Sequence, residues 1–178
     1  DTVKAHCQGQ AFLCRYADDF VCAFASASDA ERFYRVLGSR LAMFGLEVAP
    51  EKTQLLRFSR QDVARNGTFE FLGFEFRWAH GRWGKPMLKR RTSRRKYRAA
   101  LASFHTWCRQ HGQQRTDRLF ADLNAKLSGH YHYYGVRGNS KSLNDFYYQI
   151  TRMLFRQLNR RSQRRSYNWK GFTELIRV

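Results

Sequence analysis

The sequence predicts an α+β chain in two parts: antiparallel strands with one helix over residues 1–80, then an all-α helical bundle over residues 81–178. Three observations carry this. Apolar runs of strand length dominate the first part, and apolar stripes at three- and four-residue steps dominate the second. Between them the charge changes abruptly: residues 1–80 hold ten Lys and Arg against ten Asp and Glu, whereas residues 81–178 hold 23 against four. The whole formal net charge of +19 therefore sits in the second part. Such a surface repels itself unless a polyanion is near, and nucleic acid is the commonest one. A merely solvated basic face is the alternative, and the scarcity of acids disfavours it.

The first part opens with Ala11-Phe12-Leu13-Cys14 and Phe20-Val21-Cys22-Ala23-Phe24, two runs that a tight reversal at Asp18 and Asp19 would make an antiparallel hairpin. Ser28, with Glu31 three residues on, reads as the capping box of a helix. Ala30, Phe33, Leu37, Leu41 and Phe44 form its apolar face, and Gly45 stops it. Thr53 to Phe58 reads as a strand after Pro50. Phe69 to Phe76 reads as another whose phase switches before Gly73, implying a bulge or a close backbone approach there. Gly81 to Gly84 is a turn into Met87-Leu88. The boundary between the two parts is placed at the charge step near residue 80.

Three helices are expected downstream. The first runs from Ser93 to Gln110 with Tyr97, Leu101, Phe104 and Cys108 in register, and the second begins near Thr116 with Leu119, Leu123 and Leu127. The third starts at Ser142, capped with Asp145, and carries Leu143, Phe146, Ile150, Leu154 and Leu158. A short last helix follows Trp169. Each stripe needs a partner, so a small bundle results.

At 178 residues, with 43% apolar and 16% aromatic content, the chain can bury a core and is not of disordered type. No run approaches the roughly 18 apolar residues of a membrane span and no signal peptide opens it, so no membrane partner is expected. Asp1-Thr2-Val3-Lys4 lacks an initiator Met, so a fragment or processed piece is expected. Cys7, Cys14, Cys22 and Cys108 make no Cys-x-x-Cys pair, which argues against zinc and for a reducing, cytoplasmic compartment.

The sharpest chemical feature is the adjacent pair Asp18-Asp19 between apolar strands. In a regular strand neighbouring side chains point to opposite faces, but at a hairpin turn both can reach one region. Two anions held together need a cation, and hard carboxylate oxygens suit Mg²⁺, which keeps few protein ligands and completes its shell with water and phosphates. An exposed polar turn would also explain the pair.

Arg15-Tyr16-Ala17-Asp18-Asp19-Phe20-Val21 resembles the catalytic palm motif of reverse transcriptases of the group II intron type. Gly45-Leu46-Glu47-Val48-Ala49-Pro50-Glu51-Lys52-Thr53 resembles the next motif of that family, and Phe69-Glu70-Phe71-Leu72-Gly73-Phe74 resembles its primer grip. Leu123 to Gly135, with Ser128-Gly129-His130-Tyr131-His132-Tyr133-Tyr134, is similar to its maturase (thumb or X) segment. The four motifs stand in the family's order. The resemblance implies a partial right-hand polymerase palm followed by a helical-bundle thumb.

It further implies an RNA-directed DNA polymerase that uses Mg²⁺, with Mn²⁺ able to substitute, an RNA template, a DNA primer and deoxynucleoside triphosphates. Asp18 would ligate the metal directly with Asp19 as its partner, and Tyr16 and Ala17 would lie against primer end and nucleotide. Lys52 would approach the triphosphate, and Leu72, Gly73 and Phe74 would hold the primer terminus. The basic runs Lys89-Arg90-Arg91, Arg94-Arg95-Lys96, Arg160-Arg161 and Arg164-Arg165 read as phosphate contacts. Tyr131, Tyr133 and Tyr134 beside Arg137 could stack on RNA bases or pack between helices.

By the same resemblance a further metal-binding Asp and a fingers region are missing from this chain, so by itself it is expected not to polymerise. The thumb of intron-encoded relatives binds group II intron RNA and assists its splicing. A non-catalytic RNA-binding splicing factor (maturase) is therefore the rival reading, which the intact Asp pair disfavours. An RNA-templated RNA polymerase is a third, which the thumb resemblance disfavours. A bacterial, nucleic-acid-associated protein is expected.

Overall fold

The computed structural model describes residues 5–161 and 166–176. Two compact units divide the chain: residues 1–72 with 76–88, and residues 73–75 with 89–178.

In the first unit β1 (Ala11–Tyr16) and β2 (Asp19–Phe24) form an antiparallel hairpin in the register Ala11↔Phe24 through Tyr16↔Asp19. Helix α1 (Ala27–Ala42) follows, and Phe33 on it packs against Phe24 with ring centroids 5.3 Å apart. The expected capping box does not form. The helix begins earlier, after an extended Ser26, and the hydroxyls of Ser26 and Ser28 bond each other at 2.7 Å instead of capping. Gly45 stops it as expected. At φ 68° it allows the bonds Gly45 N→Ala42 O (3.0 Å) and Leu46 N→Leu41 O (3.1 Å), a Schellman ending.

Thr53 to Phe58 is not a strand. Among the described residues it finds no ladder partner: Thr53 N turns back to Ala49 O (3.0 Å), and Gly67 N→Arg57 O (3.1 Å) is an isolated contact with the loop beyond. The loop beyond, which contains the short 3₁₀ helix Val63–Arg65, is closed by the Asn66 side chain. Its amide donates to Ser59 O (2.6 Å) and Asp62 O (2.9 Å), satisfying backbone groups that a sheet would otherwise pair.

The phase switch before Gly73 marks a reversal and not a bulge. Strands β3 (Phe69–Phe71) and β4 (Phe74–His80) are joined by Leu72-Gly73, both at positive φ (50° and 75°), as a type I′ hairpin turn requires. The rings of Phe69 and Phe76 stack across it at 5.2 Å. Strand β5 (Pro86–Thr92) completes the three-stranded sheet in the order β3-β4-β5, after a turn closed by Gly81 N→Lys85 O (2.9 Å).

In the second unit α2 (Arg94–His111), α3 (Thr116–Tyr134) and α4 (Ser140–Asn159) bury the expected stripes, and α5 (Trp169–Leu175) closes on them with Phe172. Phe104, Leu119, Leu123, Leu127, Phe146, Ile150, Leu154, Leu158 and Phe172 form one core. Each such fully buried side chain contributes about 1.5–3 kcal/mol relative to exposure. Ser93, expected as the first residue of this helix, is instead its cap, accepting from Lys96 N. Helix α4 instead begins after Asn139, not at Ser142, and no side chain caps it. The Asn139 side chain is committed elsewhere: it accepts from Thr92 N (2.8 Å) and donates to Thr92 Oγ1 and Tyr134 O (both 2.9 Å).

Candidate functional site

The two-residue turn Ala17-Asp18 puts Asp18 at the tip of the β1-β2 hairpin and Asp19 at the first position of β2, opposite Tyr16. Paired residues share a face of a hairpin, so Tyr16 and Asp19 lie side by side. Ala17 has φ 51°, a left-handed conformation that costs a residue with a Cβ about 1–2 kcal/mol. Its carbonyl accepts from Arg15 Nε at 2.8 Å, which folds the Arg15 side chain over the turn. Strain of this kind persists only where the surroundings impose it, and it concentrates at functional turns.

Asp18, Asp19 and Tyr16 are all exposed. Among the described residues no hydrogen bond or ion pair engages either carboxylate, and no group of three or more His, Cys, Asp and Glu could hold a metal. The donor set is thus two hard oxygen ligands open to water, which fits Mg²⁺ as a cation that keeps few protein ligands.

Asp29 ties the segment just before β1 to the start of helix α1 and was not singled out by sequence reasoning. It is buried, accepts from Gln8 N (2.8 Å) and Gly9 N (3.2 Å), and pairs with Arg32 at 2.7 Å. Its one sequence signal is an acid in the first turn of a helix, with Arg three residues on. Lys52 is exposed on the turn after Pro50, where its amide donates to Ala49 O at 3.1 Å. Among the described residues nothing bonds it to Asp18 or Asp19.

The Leu72-Gly73 turn is buttressed within the second unit from Gly73 onward. Gly73 O accepts from Ser93 N at 2.9 Å, and a Cβ on Gly73 would stand 3.1 Å from Tyr134 Oη. Phe74 stacks on Tyr133 (6.1 Å) and meets Tyr134 edge-on (5.4 Å). For Tyr131 and Tyr134 packing is the observed role: both are half-buried, and burial, then a neighbouring tyrosine, raises each phenol's pKa. His130 lies flat on Phe146 at 3.9 Å, and burial lowers its pKa.

The basic residues divide into two groups. Arg91 is ion-paired with Glu75 (2.7 Å), Arg90 Nε donates to Arg137 O (2.8 Å), and Arg161 Nε donates to Gly112 O (2.5 Å), so these guanidinium groups hold the protein to itself. Lys89, Arg94, Arg95, Lys96, Arg137 and Arg160 are exposed. Arg164 and Arg165 lie outside the described residues. Three cations in the first turn of α2, with no acid among them, oppose the helix dipole and concentrate positive potential there.

Residues 1–76 match the family model of the reverse transcriptase (RNA-dependent DNA polymerase). The matched segment includes Tyr16 to Asp19, Lys52 and Leu72 to Phe74. No curated protein and no solved structure matches the chain. No helix among the described residues is long and apolar enough to cross a membrane.

Proposed function

We propose that the chain is the later palm and the thumb of a group II intron-type reverse transcriptase, an RNA-directed DNA polymerase. The observation that carries this reading is the pair Asp18-Asp19 at the tip of a strained antiparallel hairpin, inside the segment similar to reverse transcriptases. Asp18 and Asp19 hold Mg²⁺, or Mn²⁺ in its place. When bound, the metal neutralises phosphate charge during phosphoryl transfer. Tyr16 and Ala17 face the primer end and nucleotide, Lys52 offsets triphosphate charge, and the turn Leu72-Gly73 with Phe74 positions the primer terminus. The exposed cations of the second part grip the RNA template and DNA primer.

Two carboxylates make a weak metal site, so residues 1–178 alone are expected not to extend a primer. The test is Mg²⁺-dependent primer extension on an RNA template, by this chain and by a protein in which a segment bearing a further aspartate precedes it. Extension by the longer protein only, abolished by Asp18→Ala, upholds the reading. RNA binding without extension by either would instead favour a splicing factor that keeps the fold.

A further inference from the structure

Helix α4 is apolar on the side that carries Phe146, Ile150, Leu154 and Leu158. Its opposite side presents Tyr148, Arg152, Phe155 and Arg156 at steps of four, three and one. Together with Trp169 of α5 these residues line a cleft of about 340 Å³. That is the size of a small-ligand site and ample for one planar heterocycle. Its walls are aromatic: Phe155 and Trp169 meet edge-on at 5.2 Å, and Tyr148 and Trp169 keep 52% and 42% of their surface exposed. The Arg152 guanidinium lies over the Tyr148 ring at 5.6 Å. No acid lines the cleft, and among the described residues no carboxylate pairs with Arg152 or Arg156.

Large exposed aromatics beside unpaired arginines are out of place on a surface that only needs to be soluble. Aromatic faces accept an unstacked base of any sequence, and guanidinium groups beside them reach its flanking phosphates. The unit around the cleft carries nearly all the chain's excess positive charge, so its potential draws in a polyanion, repels a cationic partner and gives a neutral one no electrostatic steering. A base in a duplex cannot enter, because both its faces are covered by stacking.

We infer that the cleft lined by Tyr148, Arg152, Phe155, Arg156 and Trp169 receives a single unstacked base of single-stranded nucleic acid, with Arg152 and Arg156 on its phosphates. This deepens the reading of the second part as the nucleic-acid grip and rests on it. The cleft makes that grip selective for single strands, which the exposed cations of β5 and α2 alone do not.

The test is fluorescence anisotropy with the full chain, a labelled oligouridylate and a labelled RNA duplex of equal length. Tyr148→Ala is expected to weaken oligouridylate binding roughly 5- to 100-fold, the cost of losing a base–aromatic stack, while Tyr148→Phe stays within about twofold. Duplex binding should not change. A 4-thiouridine in the oligonucleotide should crosslink the wild-type chain at Tyr148 or Trp169, which tests the site without any substitution. Equal single-strand binding by wild type and Tyr148→Ala, or equal losses on single strand and duplex, overturns the proposal. Displacement of the oligonucleotide by polyglutamate, equally from wild type and Tyr148→Ala, overturns it in favour of charge alone. If wild type binds the duplex yet Tyr148→Ala changes nothing, only the cleft falls; if wild type binds neither, the nucleic-acid grip falls with it.

Discussion

Ala17 occupies a position that glycine would fill without strain. Replacing it removes a Cβ held at φ 51°, so Ala17→Gly should stabilise the chain by about 1 kcal/mol and raise the midpoint of thermal unfolding by about 2–4 °C. A gain in stability with a loss of primer extension in the longer protein would identify the strain as the means of aiming Asp18. His130 makes the opposite kind of commitment, trading hydration for contact with Phe146. Its folded pKa lies below the ordinary value of 6.5, so between the two values the unfolded chain binds more protons. Its contribution is intact above pH 6.5 and is lost as pH falls through the window beneath. His130→Gln should flatten that part of a stability–pH profile measured by denaturant titration. Cys108 is 3% exposed, with its thiol pKa raised to about 11 by burial. A thiol reagent at pH 8 should therefore label the exposed Cys14 and spare Cys108 until the chain unfolds.

Among the elements, the Leu72-Gly73 turn combines two demands that one residue type satisfies. Gly73 needs both a positive φ and room beside Tyr134 Oη. Gly73→Ala should cost about 1–3 kcal/mol, read as a lower denaturation midpoint with an unchanged slope. The helices were legible in the sequence because their apolar spacing is a property of the element itself. The hairpin at Asp18-Asp19 was legible too, since two apolar runs flank a short polar interval. What escaped were features set by remote partners. Asn139 and Asp29 spend their side chains on segments 47 and 20–21 residues away. Ser28 and Ser142 fit capping patterns that the helices, starting earlier, do not use. Phe69 to Phe76 read as one strand because a turn made by Leu72 lacks the usual Asn or Asp signal.

At the scale of the molecule, charge is separated along the chain while apolar surface is not. Phe12, Leu13, Met43, Phe44 and Leu46 of the first unit are each more than half exposed, as are Tyr133 and Tyr148 of the second, so both units offer contact area while the second supplies most of the positive potential. Affinity for nucleic acid should accordingly depend steeply on salt. Each neutralised single-strand phosphate contributes a slope of about −0.7 in log K against log salt, so converting Lys89, Arg94, Arg95 and Lys96 to Gln should reduce the slope by about 3. Arg91→Gln should change the slope little and lower stability instead, because its charge is already matched by Glu75.

Thr92 is the last residue of β5, an edge strand, and such a residue ordinarily frays first. Here its amide proton is held not by a neighbouring strand but by Asn139, itself 1% exposed at the start of α4. Deuterium uptake at Thr92 therefore waits on the opening of the helices. A strand terminus becomes a slow clock for the bundle, ticking with its global unfolding while the rest of the sheet edge exchanges ahead of it.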